Sequence, residues 1–269
     1  MRTIKLLLAY DGTEFVGWQR QPTGVSIQAV LEDALSRIEG GPVTVAGAGR
    51  TDAGVHAAGQ VASARVALTL DGPTLRRALN AVLPRTLRVL DVEDCPDGFH
   101  ARFSAHSKTY EYRIVNGPVA SPFSHRFAWH VPHRLEVARM QDAARLLEGT
   151  HDFSAFRSTG ADVHTTMRTI LRSVVECRAA RGAGLVDIVL LGGTVLVYEV
   201  TATGFLRHMV RAIVGTLVEI GAGRIAPADL RALLDRRRRD AAGPTAPAAG
   251  LCLARVDYGE APAPVAAQR

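Results

Sequence analysis

Lysine is nearly missing from this chain. Of its 32 basic residues only Lys5 and Lys108 are lysines; the rest are arginines. An arginine fork binds phosphate bidentately and stacks on bases, where lysine offers only a point charge. Alanine is abundant as well, as high-GC coding favours, so this bias alone supports nucleic-acid binding only weakly. The net charge of +6 and a pI near 9.7 admit a polyanionic partner. Cysteine is scarce: Cys95, Cys177 and Cys252 lie far apart with no Cys-x-x-Cys. That excludes a disulfide framework and a structural zinc, and fits a reduced, cytoplasmic compartment. Long apolar runs are missing too, since charge interrupts each before the roughly 20 residues a membrane span needs. Ile4, Leu6, Leu8 and Tyr10 alternate and run into Asp11-Gly12, which marks a first strand rather than a signal peptide. His125, His130 and His133 have loose metal-like spacing but sit among Phe127, Trp129 and Pro132 in an expected loop, without a nearby cysteine. No metal site is expected there.

What is present centres on Gly47-Ala48-Gly49-Arg50-Thr51-Asp52-Ala53-Gly54-Val55-His56. Strand-like runs flank it, Val43 to Val45 before and Val61 to Val66 after. A carboxylate is thus set at a strand-to-loop junction where glycines allow close approach. Arg50 and Asp52 are two apart and share a face in extended chain, so a cation lies near the carboxylate and favours its ionised form. Such a carboxylate suits a nucleophile or base. It equally suits an Asx-turn that caps its own loop. The run lacks the Gly-Lys-Ser/Thr ending of a phosphate loop, and Asp52 stands where a dinucleotide fingerprint wants its third glycine.

The 47% hydrophobic content is enough for a substantial core, and the remaining elements follow from periodicity. Ser26 caps a helix through Ile27, Leu31, Leu35 and Ile38, ended by Gly40-Gly41-Pro42. Pro73 opens a second helix, stopped by Pro84. Trp18 either plugs a core or faces RNA. In the strand at Lys108 to Arg113, Tyr110 and Tyr112 share a face, which reads as a packed sheet surface or as a base-stacking platform. Helices are expected at Leu135 to Leu147, Phe205 to Ile220 and Pro227 to Leu234. Strands are expected at Leu87 to Val92, Ile170 to Arg178, Leu185 to Leu191 and Val195 to Thr203. Arg211 falls inside a largely apolar helix, where a guanidinium needs either a carboxylate partner, Asp52 being the attractive one, or a solvent-facing position. Arg236 to Arg239 read as solvated surface or as a phosphate contact. The element order of the second half echoes the first without a residue-level repeat.

Together these blocks resemble the bacterial tRNA pseudouridine synthases of the TruA type. The resemblance is carried by Tyr10-Asp11-Gly12-Thr13, Gly17-Trp18-Gln19-Arg20, Gly49 to His56, Phe99-His100-Ala101-Arg102-Phe103-Ser104, the Tyr110 strand, Asp152-Phe153, Phe156-Arg157, and Phe205-Leu206 with Met209-Val210-Arg211. It implies an α+β fold of two ferredoxin-like halves, residues 1–103 and 104–260; the composition of 261–269 itself reads as a disordered tail. Their antiparallel sheets join into one extended sheet, with helices on one face and a cleft between the halves. It implies a homodimer that converts uridine to pseudouridine at positions 38, 39 and 40 of the tRNA anticodon stem-loop, without cofactor. By the same resemblance Asp52, Tyr110 and Arg211 are catalytic. Arg50, Tyr110, Phe205 and Met209 hold the flipped nucleotide. The chain departs from the family pattern at Cys252, where an aromatic is frequent, and at Gly160 to His164, which lacks a cysteine many relatives carry. Two other readings remain: a tRNA-binding protein or chaperone without catalysis, and a glycosidase-like hydrolase, which would use a second carboxylate as acid.

Overall fold

The computed structural model describes residues 1–158, 165–178, 193–236 and 242–259. The expected strand at Leu185 to Leu191, the stretch from Gly160 to His164, Arg237 to Arg239 and the 261–269 tail lie outside them. The chain forms two compact units, one of Met1–His106 with Cys252–Glu260, the other built from Ser107–Leu251.

In the first unit, strand β1 (Arg2–Tyr10) runs antiparallel between β3 (His56–Val66) and β4 (Leu87–Cys95). Ile4, Leu6 and Leu8 are fully buried, each removing about 1.5–3 kcal/mol of apolar side chain from water. The far edge of β3 is shared. Short β2 (Val45–Gly47) pairs antiparallel with residues Ala62 to Ala64, and β10 (Leu251–Asp257) runs parallel beside His56 and Ala57. Helix α1 (Ile27–Glu39) begins where the Ser26 hydroxyl accepts the Ala29 N–H and ends at Gly40 with φ 76°. Helix α2 (Gly72–Val82) starts on the Asp71 carboxylate, which accepts the Thr74 N–H, with proline in its first turn. Both caps satisfy amides that no helical carbonyl can reach.

The second unit has an antiparallel order of β5 (Ser107–Asn116), β9 (Thr194–Ala202), β8 (Met167–Arg178) and β7 (Gly149–Asp152). Short β6 (Trp129–Val131) lies parallel along β5. His130 is therefore in a strand and not in the loop the sequence suggested; its Nε2 lies 2.8 Å from the Gly117 carbonyl. Helix α3 (Val137–Arg145) packs on β8 and on α4 (Met209–Gly221), and α5 (Pro227–Arg236) packs on α3. Helix α4 starts four residues later than periodicity predicts. His208 holds φ 60° at its N-cap, a left-handed geometry that α-helix cannot absorb, so Phe205 to Arg207 precede the helix instead of opening it. No helix among the described residues is long and apolar enough to cross a membrane.

Candidate active site

In the first unit, the loop from Ala48 to Val55 is held by the segment at the end of β1. The Trp18 N–H donates to Thr51 O (3.0 Å), and the Gly54 N–H to Phe15 O (3.4 Å). Gly17, at φ +107°, lies so close to this loop that a β-carbon there would be 2.7 Å from Thr51 O. A β-carbon on Gly47 would overlap the Trp18 indole. Trp18 is 2% exposed, which decides its role: it is core.

Along the loop, exposure alternates. Arg50 is exposed, Thr51 buried and Asp52 half-buried, as extended chain requires. The main-chain carbonyl of Asp52 accepts the Val55 N–H at 3.1 Å, closing the turn that follows it. Buried Thr51 anchors the run from behind. Its hydroxyl meets the Tyr10 phenol at 2.8 Å. Gln60, fully buried, donates from Nε2 to Gly49 O (2.9 Å) and to the Tyr10 phenol oxygen (3.3 Å), and its Oε1 accepts the Val61 N–H (3.1 Å). Burial pushes the Tyr10 phenol well above its ordinary range, opposed by its bonds to Thr51 and Gln60, so it stays neutral and able to donate. Buried polar groups satisfied this fully specify a single geometry. At the next turn, His56 Nδ1 lies 3.1 Å from the Gly12 nitrogen and 3.3 Å from Asp11 Oδ1. The sequence reading did not single out Tyr10, Thr51 or Gln60 as a group. Tyr10 and Gln60 lie on β1 and β3, whose alternation could be read, but only the pairing of those strands brings their polar tips together, and the loop before β3 adds Thr51.

The second unit holds Tyr110, Phe205, Met209 and Arg211. Tyr110 sits on β5 opposite Val200 and is 7% exposed. Its ring meets Phe205 edge-on, with centroids 5.0 Å apart at 85°, a favourable aromatic geometry. The tyrosine face is thus largely packed, and its neighbour Tyr112 is wholly so, with the phenol donating to Pro247 O at 2.7 Å. The bend before α4 is fixed by its surroundings: the Ser158 N–H donates to Arg207 O (3.3 Å), and the Ser158 hydroxyl lies 2.6 Å from His208 Nδ1. Met209 is buried and its sulfur accepts the Leu206 N–H at 3.5 Å. Arg211 is half-buried. Its Nε donates to Ala246 O (2.7 Å), while the Ala246 N–H donates to Arg211 O (3.0 Å). A peptide carbonyl therefore satisfies part of the guanidinium and orients the rest. The structure brings Tyr110 to Phe205 and Leu206 to Met209, while Arg50 and Asp52 belong to the other unit.

A family model for tRNA pseudouridine synthases matches residues 7–104 and 143–259. The chain belongs to this family. Its members are isomerases that convert uridine to pseudouridine in tRNA. The match takes in Arg50, Asp52, Phe205, Met209 and Arg211, and Tyr110 lies between its two stretches. Among curated relatives, the tRNA pseudouridine synthase A of Syntrophotalea carbinolica is 46% identical over 96% of this chain and 97% of its own. Those of Solibacter usitatus and Moorella thermoacetica are 44% and 42% identical, over 96% of this chain and all of theirs. The family spans both units, so neither unit is an addition to it.

Proposed function

We propose that this protein isomerises uridine to pseudouridine at positions 38, 39 and 40 of the anticodon stem-loop of tRNA, as a cytoplasmic homodimer. Asp52 is the catalytic carboxylate, Tyr110 stacks on the uracil and assists the proton, and Arg211 holds the aspartate charged and oriented. Arg50 grips the extruded nucleotide or fills the gap it leaves, with Phe205 and Met209 as pocket walls. The reaction breaks the N1–C1′ bond and makes a C5–C1′ bond. One proton leaves C5 and one arrives at N1. Substrate and product are isomers, so no redox partner or group donor is consumed. An ionised carboxylate serves this chemistry by attacking the sugar, by supporting a glycal route or by adding to the base. A tyrosine near the ring can shuttle the C5 proton.

The observation that carries the proposal is the fixing of the Asp52 loop. A half-buried carboxylate follows a threonine locked by Tyr10, inside a stretch matched to the family. A loop that merely capped itself would need no buried amide-and-phenol scaffold behind it. The test is incubation of unmodified tRNA with the protein, without added cofactor or metal, followed by mapping of pseudouridine. Modification at 38 to 40 by the wild type, lost in Asp52→Asn with tRNA binding retained, is the expected outcome. Modification that survives Asp52→Asn removes the aspartate from the mechanism.

A further inference from the structure

Beyond β4 the chain places a phenylalanine where folding makes little use of it. Phe103 is 77% exposed, whereas nearby Phe99 packs its ring 5.0 Å from that of Tyr258. The turn bearing Phe103 is firmly built. Ala101 is fully buried; its N–H donates to the buried Ser63 hydroxyl (3.0 Å), and its carbonyl accepts the Tyr258 phenol (2.6 Å). The Ser104 N–H donates to His100 O (2.9 Å), and the Ser104 hydroxyl accepts the His100 N–H (3.1 Å). His100 Nδ1 accepts from the amides of both Arg102 (3.1 Å) and Phe103 (3.4 Å). On this frame the His100 ring lies 4.4 Å from that of Phe103, tilted by 34°, and Arg102 Cζ is 5.6 Å from the Phe103 centroid.

We propose that Phe103, backed by His100 and flanked by Arg102, is a stacking platform for an unpaired base of the substrate tRNA; this rests on the reading that the chain acts on tRNA. A rigid, solvent-facing aromatic plane beside a guanidinium is what single-stranded nucleic acid binds: the plane takes the base and the cation takes its phosphate or extends the stack. Pre-set geometry reduces the ordering cost of binding. Among its exposed neighbours along the chain, Asp97, Arg102 and His106 are polar and only Pro96 carries an apolar side chain, which favours a base over an apolar protein surface. The platform lies wholly within the first unit and is separate from the Asp52 loop in sequence.

Phe103→Ala, Phe103→Leu and Phe103→Trp test it, with tRNA affinity measured by titration and turnover by pseudouridine formation in the tRNA. Alanine and leucine are expected to weaken tRNA binding about tenfold, the stacking of one base, with most of the loss in KM and an unchanged melting temperature. Tryptophan restores binding, and its added emission is quenched by tRNA. The proposal is overturned if Phe103→Ala binds within about twofold of wild type, or if leucine restores binding as well as tryptophan does. It is also overturned if Phe103→Ala changes the sedimentation of the protein, which would assign the ring to a second copy of the chain. Failure of the wild type to make pseudouridine would count against the functional reading alone, since the binding titration still reads the platform.

Discussion

On the proposed reading the Asp52 carboxylate must meet one atom of a nucleotide, and the loop that carries it is fixed through bonds joining Thr51 to Tyr10 and Gln60 to both Tyr10 and Gly49. Gln60→Leu leaves the Gly49 carbonyl and the Tyr10 phenol without their shared donor. It should destabilise the protein by about 1–3 kcal/mol and lower the single-turnover rate more than tRNA affinity. Denaturant titration and rapid-quench kinetics measure the two effects, and Gln60→Glu should recover less than half of either. Gly17 is held to a narrower rule. At φ +107°, with Thr51 O in the path of any β-carbon, Gly17→Ala combines backbone strain with overlap and should cost about 1–3 kcal/mol or more, read as a lower urea midpoint. Asp52, Arg50 and Arg211 could be proposed from the sequence because a residue's type and motif are local. Ala246 O as the partner of Arg211 Nε was not legible, because a peptide carbonyl has no signature and lies 35 residues away along the chain.

Helices with chemistry at both ends announced themselves. Ser26, the spacing from Ile27 to Ile38 and Gly40 all appear as read, down to the Ser26 cap and the left-handed Gly40. Ser26→Ala should therefore cost about 1 kcal/mol, measurable by thermal melting against a surface control such as Arg37→Ala. Helix α4 shows where pattern fails. Phe205 and Leu206 continue the apolar period, yet His208 turns left-handed, and its tie to Ser158 depends on a segment 50 residues earlier. Strands β6 and β7, with three and four residues, were unread because neither is long enough to show alternation. The parallel seat of β10 beside β3 is likewise a property of tertiary pairing, which no local pattern carries.

For the molecule as a whole, buried phenols set an alkaline limit. Burial raises the phenol of Tyr198, and that of Tyr10, above the ordinary value. The folded state therefore holds these protons more tightly than the unfolded chain. Their stabilisation is complete below the unfolded value of about 10 and is lost as pH rises past it toward the folded value. Urea midpoints should be level from pH 8 to about 9.5 and then fall, and Tyr198→Phe should flatten that fall. The basic balance of the chain predicts a second bulk property: tRNA affinity that drops steeply with added salt, measurable by filter binding across a salt series. The arginine at 236 and the three that follow should contribute to its slope if they meet phosphate.

The most direct trial of the account is pseudouridine mapping on an unmodified tRNA after incubation with wild type and with Asp52→Asn, in the absence of cofactor and metal. Pseudouridine at positions 38 to 40 with the wild type, and at least about a thousandfold less with the amide, as loss of an essential nucleophile or base demands, is the predicted result. Equal modification by both proteins would contradict it.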